Sequence, residues 1–565
     1  MAEVITETIL PGTYIQVNTE GLLTIGAIAT GNVGLIGTAE MGTDTIQTLS
    51  SFEEGRARFG DMGAWDRSQP DSNISLVRAL KLLFDNGAST VYARRVVATA
   101  DDPAQSVTAA KTATYQVLTE ANAPALSLRA RTPGTWGNRL QLRVEPAEAT
   151  DQVSDEVVRR NNAIFRLSAQ QVFAPTNGAA AALGTVTVRE HGLLTRLALT
   201  TATPTATSVQ LNPTNRTFTF GTAPAAEAEV RASYRVPQEA LRKVTLRYGN
   251  MREVYVTPSL SYLVQQLQDA SNPSRLVEVV QQAGNGLPRS TTNFEAFTGG
   301  DNGTVALSHF QEALDAMIDS PVQLIIVAGR SFSQIKSAIL GHVERTENLG
   351  RERIAVVGAD SSEVQKILEN ANDVADKRVV LVAPGLRQHD PASGQIVDLP
   401  PSFAAAAIAG KLASLPPHVS LTNKTLAGID ALPAAYNYGD LKALVQNRVL
   451  ALETRRGVRV VKGITTDDQA FKQITLRRII DYVKEGTRLG ANQYIGLLNN
   501  TRVRENLRTT LDGFLADLLL REFLTGYKLT VFADRAMEIR GEVQVVMDLN
   551  PTFSIDVIRV VMNLS

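Results

Sequence analysis

Three short apolar runs constrain the fold of this chain more than any other feature. Val322 to Val327 is almost continuously apolar, and Ile354 to Val357 and Arg378 to Val382 repeat the pattern. Helix-spaced stretches separate them, one near Gln334 to Glu347 and one from Glu363 to Asp373. A strand that is apolar on both faces needs cover on both faces. Its alternation with helices is the signature of a buried, largely parallel sheet. The helix expected around Ser402 to Leu412 is alanine-rich, so it can approach its neighbours closely. The expected fold class is therefore α/β, or mixed α+β, in several domains.

The core extends upstream. Gly21 to Ala39 carries no charge, but its five glycines read as two short strands around a turn. A bilayer helix is richer in Leu, Ile and Phe. Leu76, Leu80 and Phe84 recur every four residues, Asn86-Gly87 stops that helix, and a strand from Thr90 to Val97 follows. Between residues 99 and 298 the texture changes. Alternating runs such as Leu140–Val144 and Arg216–Phe220 sit between Thr-, Pro- and Asn-rich connections, as in a β-rich insertion with many loops.

Downstream, Leu476, Ile479, Ile480 and Val483 form one helical stripe, and Leu507, Leu511, Phe514 and Leu518 another. The second widens through Phe523 and Leu524, so that helix is expected to run to Thr525-Gly526. Val543, Val545, Met547 and Leu549 alternate as a strand, and Ser554 to Leu564 reads as a further β run. The resulting division is 1–20, an extended arm; 21–98, the first part of the core; 99–298, the insertion; 299–462, the rest of the core; 463–550, a C-terminal domain; and 551–565, a terminal strand.

Composition narrows the function. The 565 residues carry 56 basic and 57 acidic side chains, a net charge of −1, and nothing marks a nucleic-acid footprint. There is no cysteine, so disulfides, thiol nucleophiles and Cys-ligated metals are excluded. Met1 to Tyr14 has Glu3 and Glu7 and no basic residue, unlike a secretion signal. Phosphate-loop, dinucleotide and nucleophile-elbow motifs are missing, and Gly31, Gly34 and Gly37 are strand glycines. The five histidines lie far apart, with His389-Asp390 expected as an exposed loop pair. No catalytic, cofactor-binding or metal-binding residue is assigned. The alternative, an α/β-core enzyme with a β-rich accessory domain, lacks a convergent polar cluster. Arg477, Lys484 and Arg488 fall on one helical line, with Asp481 and Glu485 between them.

Several patterns resemble the tail sheath family of contractile phages and related injection systems. Pro11-Gly12-Thr13-Tyr14 is similar to that family's N-terminal arm. Val33 to Gly42 resembles its first strand and turn, and Leu82–Gly87 with Val91–Val96 its helix–strand unit. Gly134–Asn138, Thr298–Gly303 and the block from Gly463 through Leu476-Arg477-Arg478 are also sheath-like. The resemblance implies a subtilisin-like but inert core at 299–462, with no Gly-Thr-Ser-Met-like element. It also implies a tube-facing domain at 463–550 and arms that add strands to neighbouring copies.

The implied arm residues are Thr13, Tyr14, Ile15 and Val17 at one end and Ile555, Val557, Ile558 and Val560 at the other. Joints are implied at Pro11-Gly12 and Asn550-Pro551, and Arg477, Lys484 and Arg488 become candidate contacts to a tube or neighbour. The implied function is a contractile sheath subunit, not an enzyme, needing no cofactor. The implied partners are further copies in a helical assembly of six-subunit rings, an inner tube, a baseplate and a terminator or cap. Neither nucleic acid nor membrane insertion is expected. The implied location is a virion tail, the bacterial cytoplasm or a released injection particle.

Overall fold

The computed structural model describes residues 28–563, apart from 67, 69–73, 106, 149–150, 159, 162–163 and 173–182. The chain forms two units. One holds the chain through Ala39, Thr43–Val96 and everything from Ala306 onward; the other holds Glu40–Gly42 and Val97–Val305. The long segment of the second unit runs from Val97 to Val305, and the Gly299–Gly303 turn falls inside it.

The first unit is built on an eight-stranded sheet. In chain order its strands are β1 (Asn32–Gly37), β2 (Gln47–Leu49), β3 (Thr90–Arg95), β4 (Leu324–Val327), β5 (Ile354–Gly358), β6 (Val379–Ala383), β7 (Leu450–Thr454) and β8 (Val458–Val460). Their spatial order is β2-β3-β1-β4-β5-β6-β7-β8. The six inner strands run parallel, and β2 and β8 close the edges antiparallel. The apolar runs read from sequence are β4, β5 and β6, every residue of which is buried.

The helices of this unit include α1 (Leu76–Asp85), α2 (Phe332–Asn348), α3 (Val364–Asn372) and α4 (Pro401–Ala413). Helix α4 is buried almost all round; Phe403 through Ala409 are inaccessible. Its alanines are a packing requirement. A Cβ on Gly410 would stand against the backbone of Leu83 in α1, and one on Gly358 of β5 against the backbone at Pro401 and Ser402. Only residues without bulk let α4 settle on both the sheet and α1.

The second unit is all-β apart from short helices. It contains an eight-stranded sheet, smaller sheets of four and three strands, and two cores, one around Trp136 and Leu246, the other around Val186 and Tyr234.

The C-terminal part of the first unit comprises α5 (Ile474–Asn492), α6 (Thr501–Leu520), β9 (Leu524–Phe532) and β10 (Gln544–Pro551). Contrary to the sequence expectation, the apolar stripe of α6 does not carry the helix to Thr525, because Arg521 caps it and Glu522 turns left-handed at φ 61°. Phe523 and Leu524 are apolar because they fill a small core with Ile479, Tyr482, Leu515 and Leu518. Among the described residues no helix is long and apolar enough to cross a membrane.

Alanine is a better helix former than glycine by about 1 kcal/mol, so Gly410→Ala should stabilise an isolated α4. In the folded protein the added methyl meets the Leu83 backbone. The variant is expected to lose roughly 1–3 kcal/mol instead, as overpacked cores do. Denaturant midpoints of the two proteins measure the sign.

Candidate functional site

In doubly wound sheets, ligands bind where the strand order reverses, outside the carboxyl ends of the strands. Here the reversal lies between β1 and β4, and the start of α1 fills it. Ser75 Oγ receives the Thr38 amide (3.2 Å) and donates to the Ala328 carbonyl (3.0 Å). The amides of Ser75 and Leu76 both donate to the Thr38 carbonyl (2.9 Å each). Gly329, at φ 73°, passes so close that a side chain there would strike Ser75. The crevice an enzyme would use is occupied by the protein's own helix end.

The nearest approach to a catalytic arrangement is Ser333, Asp360 and Asn370. The Ser333 hydroxyl donates to Asp360, which also receives the Ser333 amide (2.9 Å) and Asn370 Nδ2 (2.8 Å). These bonds satisfy the carboxylate at the start of α2 and hold it below the usual range against its partial burial. The third member is an amide rather than an imidazole, so the group cannot relay a proton as a triad does. His342 is the histidine on α2. It is buried beside Arg353 (3.1 Å), and burial first, then the Arg353 and Arg345 charges, hold it neutral down to about 3. Among the described residues no three acidic or histidine side chains could hold a metal ion.

His389-Asp390 is not an exposed pair. His389 is exposed, whereas Asp390 is fully buried and bonded to Arg78 (3.0 Å), the Trp65 amide (3.1 Å) and Ser393 (2.7 Å). Arg78 is itself 1% exposed, and a buried ion pair needs such extra partners to offset its desolvation. Its polar sequence context disguises a core residue.

The basic line on α5 also faces differently from its expected role. Arg477 is 2% exposed, donates to Asp481 (2.6 Å) and lies over the Phe471 ring (4.3 Å). Arg378, at the start of β6, donates to both oxygens of Asp481 (2.9 and 3.1 Å) and to Glu347 of α2 (2.9 Å). Lys484 lies 3.3 Å from Glu352, which is also the partner of Arg488. The helical spacing holds, but its charges serve a polar seam between α5 and the α/β core. Buried Glu352 and Arg378 demand countercharges on the facing helix. Arg477 is unavailable to a partner; Lys484 and Arg488 keep part of their surface exposed.

The unfinished structure lies at the C-terminal hairpin. β9 and β10 form a two-stranded sheet of their own, with register from Phe532↔Gln544 to Leu524↔Pro551. Neither outer edge pairs with another strand among the described residues. A groove of about 410 Å³ runs between α5 and β10, lined by Ile480, Val483, Lys484, Thr487, Arg488, Val545, Met547 and Leu549. Asn550 and Pro551, expected as a flexible joint, are instead the last residues of β10. Thr525 Oγ1 donates to the Asn550 carbonyl (3.1 Å), and Thr552 donates to the carbonyls of Phe523 (3.1 Å) and Glu522 (2.7 Å). The tether ends only after Thr552, because a strand-end proline needs no ladder donor.

Beyond it, residues 553–563 form no strand, although they read as one. Ile555, Val557, Ile558, Val560, Val561 and Met562 are 71–83% exposed. Thr13, Tyr14, Ile15, Val17 and the Pro11-Gly12 joint lie outside the described residues.

Residues 303–466 match the model of the phage tail sheath protein central domain, and 466–565 that of the phage tail sheath C-terminal domain. The tail sheath protein of Mycobacterium phage Bxz1 is 27% identical over 243 residues, a stretch covering 40% of this chain and 41% of that protein. The crystal structure of a sheath tail protein from Desulfitobacterium hafniense shares the fold with a TM-score of 0.58 at 13% identity, covering 96% of this chain and all of that one. One from Listeria innocua does so at 0.54 and 14%, covering 94% and 98%. Residues 303–565 thus carry the central and C-terminal domains of the phage tail sheath family.

The seam has a pH signature. Hydrogen bonds from Arg378 and Lys377 outweigh desolvation and lower the Glu347 pKa from 4.5 to about 2. A carboxylate depressed in the folded state stabilises it fully above its unfolded pKa, and that contribution fades as pH falls through the folded value. Glu347→Gln is therefore expected to unfold at lower urea than the wild type at pH 6. The gap should shrink below about pH 4.5 and close towards about pH 2. A gap independent of pH contradicts the assignment.

Proposed function

We propose that this chain is the structural subunit of a contractile sheath and not an enzyme. Copies stack as six-subunit rings around an inner tube, between a baseplate and a terminator or cap, in a virion tail or released injection particle. Terminal runs from two copies complete the β9–β10 sheet of a third. Main-chain hydrogen bonds then hold the lattice whatever the side chains do, and open sheet edges are closed.

The observation that carries this reading is the pairing of two deficits among the described residues: a ribbon with open edges beside a largely apolar groove that also presents Lys484 and Arg488, and a run of exposed apolar residues that forms no strand. A lone two-stranded ribbon is marginal in water, and a third or fourth strand gives it a stable sheet. The terminal run has the composition to supply one. Contraction is a rigid-body rearrangement between interfaces with energy stored at assembly, so no nucleotide is required. Interfaces of this kind bury on the order of 2,000 Å² or more, and a small gain per copy sums along the polymer. Lys484 and Arg488 remain the candidate contacts to a tube or neighbour, since exposed ion pairs are weak enough to release.

Deleting residues 554–565, or separately residues 1–18, is expected to leave folded monomers whose melting temperature shifts by a few degrees at most and which form no tubes. Negative-stain microscopy reads the outcome. Tubes of wild-type length from either truncation exclude strand exchange.

A further inference from the structure

One charged residue of the exposed terminal run is partly buried. The Asp556 side chain retains 17% of its accessible surface and is held by three groups of the α/β unit. Lys462 Nζ, two residues beyond β8, lies 3.1 Å from its Oδ2, and Gln473 Nε2, from the residue capping α5, lies 3.3 Å from the same oxygen. Thr422 Oγ1 donates to Oδ1 at 3.4 Å. Neighbours on both sides, Ile555 and Val557, are 79% and 74% exposed. The run is therefore pinned at one carboxylate and otherwise open.

The position of the pin matters because of where the run begins. It leaves β10 at Pro551, directly beside the open edge of its own hairpin and the groove lined by Val545, Met547 and Leu549. A turn of two to five residues is enough to fold a strand back beside the preceding one. Such an intramolecular partner is present at an effective concentration on the order of millimolar, well above that of free copies in dilute solution. Left alone, the run would cap its own sheet. Asp556, held at Lys462, Gln473 and Thr422, restrains the stretch that such a turn would use, and residues 553–563 form no strand beside that edge.

We propose that Asp556 and Lys462 form an anchor that prevents self-capture of the C-terminal run and reserves it for the sheet of a second copy of this chain. The proposal rests on the strand-exchange reading above. Asp556 is a positioning residue: it makes no intermolecular bond but decides which sheet the run can reach.

Asp556→Asn and, independently, Lys462→Gln test it in the full-length protein. In monomers at low concentration, backbone amides of residues 553–563 in the wild type are expected to exchange at the rate of open chain, and carboxypeptidase to trim the end back towards Asp556. Both variants should show at least tenfold slower exchange and resistance to trimming, with melting temperatures near that of the wild type. Their threshold concentration for polymerisation should rise several-fold. Exchange and trimming in both variants equal to the wild type's overturn the anchor. Failure of the wild type itself to polymerise at any concentration counts against the sheath reading alone, since the monomer measurements still decide the anchor.

Discussion

The approach of α4 to the central sheet is the contact on which the rest of the first unit depends. Strands β4, β5 and β6 are buried on both faces, so they need cover on both, and at Gly358 the backbone of α4 comes close to β5. The alanines of α4 and Gly410 permit that approach, and α1 is in turn seated on α4 through Leu83. Because α1 is fixed there, its first residues enter the reversal point between β1 and β4, where Ser75 bonds both strands' following segments. The packing that stabilises the fold thereby closes the crevice in which relatives of this architecture bind ligands.

The C-terminal body is attached by a different kind of interaction. It has its own small apolar core around Ile479, Leu515, Leu518 and Phe523, while its seam with the α/β core runs through Arg378, Asp481, Glu347, Lys484 and Glu352. Apolar contacts are tolerant of rotation, whereas charge-assisted hydrogen bonds in fixed pairs specify one orientation. The seam therefore fixes the orientation of the hairpin-bearing body on the α/β core.

Much of this is legible in the residues. Apolar runs alternating with helical spacing mark β4 to β6, and the alternation of Val545, Met547 and Leu549 marks β10. The resemblance of Pro11–Tyr14, Thr298–Gly303 and Leu476–Arg478 to sheath proteins leads to the family. The C-terminal site is legible in part. Ile555, Val557, Ile558 and Val560 stand out as an apolar run at the chain end, but Asn550-Pro551 reads wrongly as a joint because Pro ordinarily interrupts a ladder. Here it ends one, with Thr552 bonded beyond it. The strand β9 escapes recognition in sequence because its first residues continue the apolar stripe of α6.

Local pattern determined the buried strands β4 to β6, the strand β10 and the helices α5 and α6 apart from the end of α6, since periodicity of burial is written in the order of residues. It also determined that the chain has no cysteine and no phosphate-loop, dinucleotide or nucleophile-elbow motif. Tertiary structure alone decided which charges are internal. Asp390 and Asp556 look like ordinary surface residues in sequence, and only the approach of distant segments, over separations of 312 residues for Arg78 and Asp390 and 134 for Thr422 and Asp556, gives them these partners. Whether a charged side chain is solvated or paired depends on what lies across from it, and that is a property of the folded chain rather than of its local sequence.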